Sequence, residues 1–366
     1  MRVLHIVPSY KPAYQYGGTI ESVARLCEGL VQSGVEVKVF TTTANGSEEL
    51  NVKPGVEYIV EGVKVIYFKR LTKDHSHITV SLWKKLYKEY KNYDVVHIHS
   101  WWNILVLVAT FICKQKKVKL VLSPHGMLSD YIINNSKAKL KFLIHTFIGK
   151  RLLKSALLHT TSKAELTECK KLIPGWKGFV VPNIVWLPQL EIEKKTNKAF
   201  TILFLSRIHP KKGIELLMEA ISTLKINVHL AIAGAGEKDY IEGLKKKAKK
   251  LELQNKIEWL GWIDREQKFD ILMQADLFAL TSYNENFANV VIESLHVGTP
   301  VLLSQEVGLS QFVAENNLGW ICTLSSEDIT QKIEAAVQDT EKRERIKNCA
   351  PKIIQKYFSA ETLIPQ

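Results

Sequence analysis

The sequence predicts an α/β protein made of two doubly wound, Rossmann-like domains. Three observations carry that expectation. Short apolar runs bounded by Gly, Pro and polar residues alternate with stretches of helical periodicity, the βαβ order of a parallel sheet. A polar, aperiodic stretch at 188–199 divides this alternation into two series. The 366 residues, 46% of them hydrophobic, are enough for two cores of ordinary size.

In the first series, residues 3–7 read as a strand leading into the loop P-S-Y-K-P-A-Y-Q-Y-G-G-T. Ile20, Val23, Ala24, Cys27, Leu30 and Val31 then recur at helical spacing, Gly34 ends the helix, and a strand begins at 35–40. A strand, glycine turn and helix in that order commonly hold a phosphate or a closely approaching ligand, which makes Gly17, Gly18 and Thr19 candidates. A bare Gly-Gly fits an ordinary turn as well. Strands at 63–68, 95–98, 120–122 and 157–161 follow, and two of them end in the histidine-bearing turns H-I-H-S and S-P-H-G-M. His99 and His125 are thus candidates, although a lone histidine at a strand end is more often structural. This domain spans 1–188.

The second series, 199–340, begins with a strand at 202–205. Arg207 and Lys212 follow in L-S-R-I-H-P-K-K-G, and two cations at a strand end suit the charge developing on a leaving diphosphate. Gly234 and Gly236, in A-G-A-G-E, come after the strand at 228–233 and permit close backbone approach. Further on, the strand at 277–280 runs into T-S-Y-N-E-N-F-A-N-V-V-I-E-S-L-H-V-G-T-P-V, where Glu285 and Glu293 stand eight positions apart and Gly298 with Pro300 stops the helix. In a parallel sheet that turn lies on the carboxyl edge, and the helix start near Asn289 presents unpaired N–H groups and a positive dipole end to an anion. Glu285 is expected in the turn and Glu293 about two turns into the helix, so that one acid meets the reacting end of a ligand and the other a distant part. Two solvated glutamates around a core helix fit the spacing equally well. Residues 341–366 read as a final helix.

The net charge of +13 resides entirely in residues 1–188, which points that half toward an anionic partner, nucleic acid or an acidic membrane surface. Residues 137–154 intersperse Lys137, Lys139, Lys141, Lys150, Arg151 and Lys154 with Leu and Phe; this is either a basic amphipathic helix for such a surface or a core helix with a solvated face. The five scattered cysteines form no C-x-x-C pair, which fits a reducing cytoplasm rather than a disulfide framework. The longest apolar run, 104–113, falls short of the roughly 20 residues a membrane span requires. Walker A, H-E-x-x-H and D-x-D patterns are absent, so no metal and no cofactor are expected.

Taken together, Arg207 with Lys212 and the following glycine, the glycine turns, and Glu285 with Glu293 resemble the R-x4-K and E-x7-E signatures of the retaining glycosyltransferases of family 4. The resemblance implies the GT-B fold, two domains facing across a cleft with a C-terminal helix crossing back to the first. It also implies roles. Glu285 and the turn amides of Phe287 and Ala288 hold a donor sugar that His125 adjoins, Asn289 and Val290 at the helix start hold its diphosphate, Glu293 binds the ribose, and Gly261, Trp262 and Ile263 pack on the base. The P-H-G-M-L string is similar to members that build bacterial surface polysaccharides. The implied reaction moves a hexose or N-acetylhexosamine from a nucleotide diphosphate sugar, UDP favoured over GDP, to a glycan or lipid-diphosphate-linked acceptor, without a metal. The protein is expected in the cytoplasm, and the basic half and residues 137–154 separately point to a peripheral contact with the inner face of the cell membrane. A GT-B epimerase or phosphorylase would share the phosphate site. A nucleic-acid-binding protein would explain the basic half, but the aromatic and basic strand signature is missing, so no nucleic acid is expected. Family members commonly read E-G-F-G where this chain has Asn286 and Ala288. If position 288 needs φ above zero, its alanine is strained by roughly 1 kcal/mol.

Overall fold

The computed structural model describes residues 1–46, 48–134, 145–189 and 199–366. The chain divides into two compact units, Met1–Ile184 with Ala360–Gln366, and Val185–Ser359. Most of the expected linker, 190–198, and residues 137–144 of the expected basic helix lie outside the described residues.

The first unit is an eight-stranded sheet. Its strands are β1 (Arg2–Ile6), β2 (Glu36–Thr42), β5 (Glu57–Val60), β6 (Val63–Phe68), β7 (Val95–His99), β8 (Leu120–Ser123), β9 (Leu157–Thr160) and β10 (Gly178–Val180); β3 (Ala44–Asn45) and β4 (Glu48–Glu49) form a separate small hairpin. The order is β10-β9-β8-β7-β1-β2-β6-β5, parallel except that β5 returns antiparallel to β6. Alternation along each strand divides the side chains between two faces. Leu4, Ile6, Val96, Ile98, Leu120 and Leu122 enter one apolar cluster. On β2 and β6, Val37, Val39, Val63 and Val65 enter another, together with Val23, Ala24 and Cys27 of the helix Gly18–Gln32.

The second unit has six parallel strands: β11 (Phe200–Leu205), β12 (Val228–Ala233), β13 (Ile257–Gly261), β14 (Leu277–Leu280), β15 (Val301–Ser304) and β16 (Gly319–Cys322). Their order is β13-β12-β11-β14-β15-β16. The chain winds outward from β11 in one direction and then returns to lay β14 on its other side, so the switch point falls between β11 and β14, where open parallel sheets bind ligands. The tail requires a correction. The helix Thr340–Phe358 sends Ile346, Ala350, Ile354 and Phe358 into the second unit's core, because its apolar positions recur on one stripe. Only Ala360–Gln366, rather than all of 341–366, belongs with the first unit.

Candidate functional site

The switch point brings together the turns after β11 and β14. After β11, Pro210–Lys212 forms a short 3-10 turn whose first free amide, on Lys211, donates to His209 Nδ1 at 3.1 Å. Gly213 ends it at φ +65°, and a Cβ there would stand 2.1 Å from the Thr281 carbonyl oxygen. That close approach knits the two turns: Thr281 Oγ1 donates to Gly213 O at 2.9 Å, and Tyr283 N donates to Lys211 O at 2.9 Å. Lys212 Nζ thereby reaches the Glu285 carboxylate and pairs with it. Glu285 is itself fixed by backbone bonds to the turn after β15, donating to Glu306 O at 3.0 Å and accepting from Gly308 N at 2.8 Å. Arg207 is exposed, with no carboxylate in ion-pair range among the described residues.

Beyond Glu285, Ala288 adopts φ +69°, the left-handed conformation that the family glycine would take without strain. It begins the helix Asn289–His296 and supplies no side-chain cap. An anion at this end meets the helix's positive dipole and its first amides. The helix starts at Asn289, which puts Glu293 on its second turn. Glu293 is 6% exposed, and its Oε1 accepts a 2.5 Å bond from Lys268 of the helix Arg265–Gln274. Sequence reasoning missed Lys268, since no local spacing links it to Glu293. The side chain of Phe287 is buried in the core, edge-on to Phe358, which leaves its backbone amide to face the turn. Val290 packs partly buried against the same core.

Gly234 and Gly236 are required by the chain itself. A Cβ at Gly234 would stand 1.8 Å from Ser206 O, and one at Gly236 would stand 2.0 Å from Ile208 O. Both glycines therefore hold the turn after β12 against the turn that carries Arg207. Gly261 closes β13 at φ +70°, and Trp262 beyond it is 68% exposed, with Ile263 partly buried against the core. An exposed indole is a stacking surface.

In the first unit, Gly17 at φ +78° caps the helix Gly18–Gln32, with Thr19 exposed in its first turn. A Cβ at Gly17 would meet nothing within 4 Å, so the open space there is available to a ligand. His125 follows β8 at φ +51°. Two contacts hold it: His99 Nδ1 lies 3.0 Å from its Nε2, and the next amide, Gly126 N, donates to the buried Glu165 carboxylate at 2.6 Å. Burial pushes the His125 imidazole down to about 3, so the ring is neutral at physiological pH. Glu165 escaped notice in the sequence, although it belongs to a capping pattern in which Ser162 Oγ accepts from its amide at 3.1 Å.

Two doubly wound, Rossmann-like units are the architecture of the GT-B glycosyltransferases. The family profiles agree: residues 16–187 match Glycosyltransferase Family 4 and residues 188–353 match Glycosyl transferases group 1, so the chain belongs to the family 4-like, group 1 glycosyltransferases. An uncharacterized glycosyltransferase of Methanocaldococcus jannaschii is 25% identical over 99% of this chain and 96% of its own length. The lipopolysaccharide core biosynthesis glycosyltransferase LpsE of Rhizobium meliloti is 28% identical over 44% of this chain and 46% of its own. Among solved structures, Anabaena HepE in complex with UDP and glucose is similar at a TM-score of 0.76, with 20% identity, 100% of this chain and 98% of that one covered. Among the described residues no helix is long and apolar enough to cross a membrane.

Proposed function

We propose that this chain transfers a hexose or N-acetylhexosamine from a UDP-sugar, with retention of configuration, to a glycan or lipid-linked acceptor in surface polysaccharide assembly. The observation that carries the reading is the Lys212–Glu285 pair, held at the switch point directly before the helix Asn289–His296. A donor diphosphate seated on that helix start draws Lys212 and Arg207 to its oxygens, and they stabilise the negative charge as the sugar–phosphate bond breaks. Glu285, released from Lys212, accepts hydrogen bonds from the sugar hydroxyls. The neutral His125 offers a hydrogen bond without a charge. Glu293, oriented by Lys268, receives the ribose hydroxyls, and Trp262 covers the base. Protein cations thus supply the charge that a metal ion provides elsewhere. The UDP preference draws support from the Anabaena neighbour's bound UDP, and the acceptor class from the P-H-G-M-L turn and the Rhizobium relative.

A thermal-shift titration with UDP, GDP, ADP and CMP tests the donor class. UDP alone is expected to stabilise the protein, by about 2.7 kcal/mol at 100 times its dissociation constant, and Glu293→Ala should abolish the shift. Equal response to all four nucleotides, or to none, would overturn the donor assignment. The anomeric configuration of the product linkage, read by NMR, tests retention.

A further inference from the structure

A second cluster of chemistry lies on the sheet face of the first unit that the glycosyl-transfer reading leaves unused. In the parallel register of β1 and β7, His5 stands directly beside His97, and His99 follows two residues on, on the same face. The rings are close: 5.0 Å between the centroids of His5 and His97, and 4.1 Å between those of His97 and His99. Each of the three offers one ring nitrogen within 4.8 Å of the others. They line a pocket of about 200 Å³ together with Val23 and Leu26 of the helix Gly18–Gln32 and with Ile364 of the returning tail.

The hydrogen bonds fix which nitrogens carry lone pairs. Val181 O, 2.9 Å from His159 Nε2, can only accept, so His159 is protonated there and bare at Nδ1. That bare nitrogen, 2.7 Å from Ser123 Oγ, accepts the hydroxyl proton. Ser123 Oγ therefore accepts from His97 Nε2–H at 2.7 Å, and His97 Nδ1 is left as a lone pair. His5 adds a second unsatisfied position, because its Nε2 is buried with no partner. Burial lowers the affinity of all three rings for a proton, so each is the neutral imidazole that a metal requires.

We propose that His5, His97 and His99 form a three-imidazole site for a divalent transition-metal ion of the zinc class, its fourth position open to the pocket. Three histidines with one open position are an established zinc ligand set. His99 joins by exchanging its hydrogen bond with His5 for the ion. His5 ligates through its unpartnered Nε2 and keeps its proton on Nδ1. Ser123 and His125 then act as outer partners, holding His97 Nε2–H and His99 Nδ1–H. Ligation at His99 Nε2 places its remaining proton on Nδ1, facing His125, so the ion also sets the tautomer of His125.

The test uses tag-free, full-length protein dialysed against chelator and titrated with Co(II) and Zn(II). The expected result is one equivalent of Co(II) bound with a tetrahedral absorption band, displaced by Zn(II). His97→Gln should lose that band, Ser123→Ala should weaken binding about 10- to 100-fold, and the control His229→Gln, in the second unit, should leave it intact. Absence of the band from folded wild-type protein, or its persistence in both His97→Gln and Ser123→Ala, would overturn the site. If His97→Gln does not fold, the wild-type band and Ser123→Ala decide the question. None of these readouts depends on glycosyl transfer.

Discussion

Lys212 and Glu285 are paired in the free protein with side chains 11% and 21% exposed, so each neutralises the other in a partly dehydrated place. Removing one member leaves the other uncompensated, and loss of stability could then be mistaken for loss of function. Two substitutions separate these effects. Lys212→Ala should lower turnover by a factor of about 100 to 1,000, the scale of one lost donor to a developing anion at about 3 kcal/mol. Adding Glu285→Gln should restore the melting temperature but not turnover. Recovery of turnover in the double variant would mean that Lys212 serves only to neutralise Glu285. Ala288 presents a different residue-scale case. Its φ of +69° costs an alanine about 1 kcal/mol that glycine does not incur, so Ala288→Gly is expected to raise the urea midpoint by that equivalent. An unchanged midpoint would show that the strain is relaxed elsewhere.

At the scale of elements, the site depends on loops touching backbone to backbone. Gly213→Ala would press a Cβ onto the Thr281 carbonyl 2.1 Å away while keeping φ at +65°, and should cost about 2–3 kcal/mol in chemical denaturation. Thr281→Val, which loses only the bond to Gly213 O, should cost about 1 kcal/mol. In the first unit, the His77 ring lies 6.3 Å from that of Tyr16 and tilted against it, two residues before Gly18, with Arg70, His75, Asp74 and Glu49 as its titratable surroundings. Burial, assisted by Arg70, lowers the His77 imidazole to about 4. Its folded value lies below its unfolded one, so the unfolded chain binds the extra proton; the associated stability is present above pH 6.5 and is lost as pH falls toward 4. His77→Gln should flatten the acid limb of stability against pH across that window, and an equal slope would exclude His77 as its source. What was legible beforehand follows the same division. The succession of strand, turn and helix that carries Arg207, Lys212 and Glu285 was readable because each signal is a short local string on an apolar period, whereas the order of the strands in the sheet was not. Lys268 beside Glu293, and Glu165 beneath the His125 turn, were not, because their partners lie on other elements. The burial of the Phe287 ring was not legible either, because its core partner Phe358 lies on a distant helix. The three histidines were visible only as H-I-H, since joining His5 to them needs the register of β1 against β7.

At the scale of the whole molecule, the chain returns to its first unit through only seven residues, Ala360–Gln366, after the helix Thr340–Phe358 has been absorbed by the second core. Leu363 is 3% exposed, and Ile364 fills the space beside Gly29 so closely that a Cβ there would stand 2.4 Å from its Cδ1. A glycine at 29 and an isoleucine at 364 are thus one packing solution, with the tail serving as part of the first unit's core. Ending the chain at Ser359 removes both apolar side chains and exposes their neighbours, which should destabilise the first unit by about 2–5 kcal/mol. The nucleotide contacts assigned above all belong to Val185–Ser359, so the truncated protein should keep its stabilisation by UDP. Calorimetry is expected to show one transition lowered by truncation and a second one raised by UDP to the same extent in both proteins. If truncation abolished the UDP response, the nucleotide site would need the tail or the unit it completes, and its assignment to the second unit alone would be wrong.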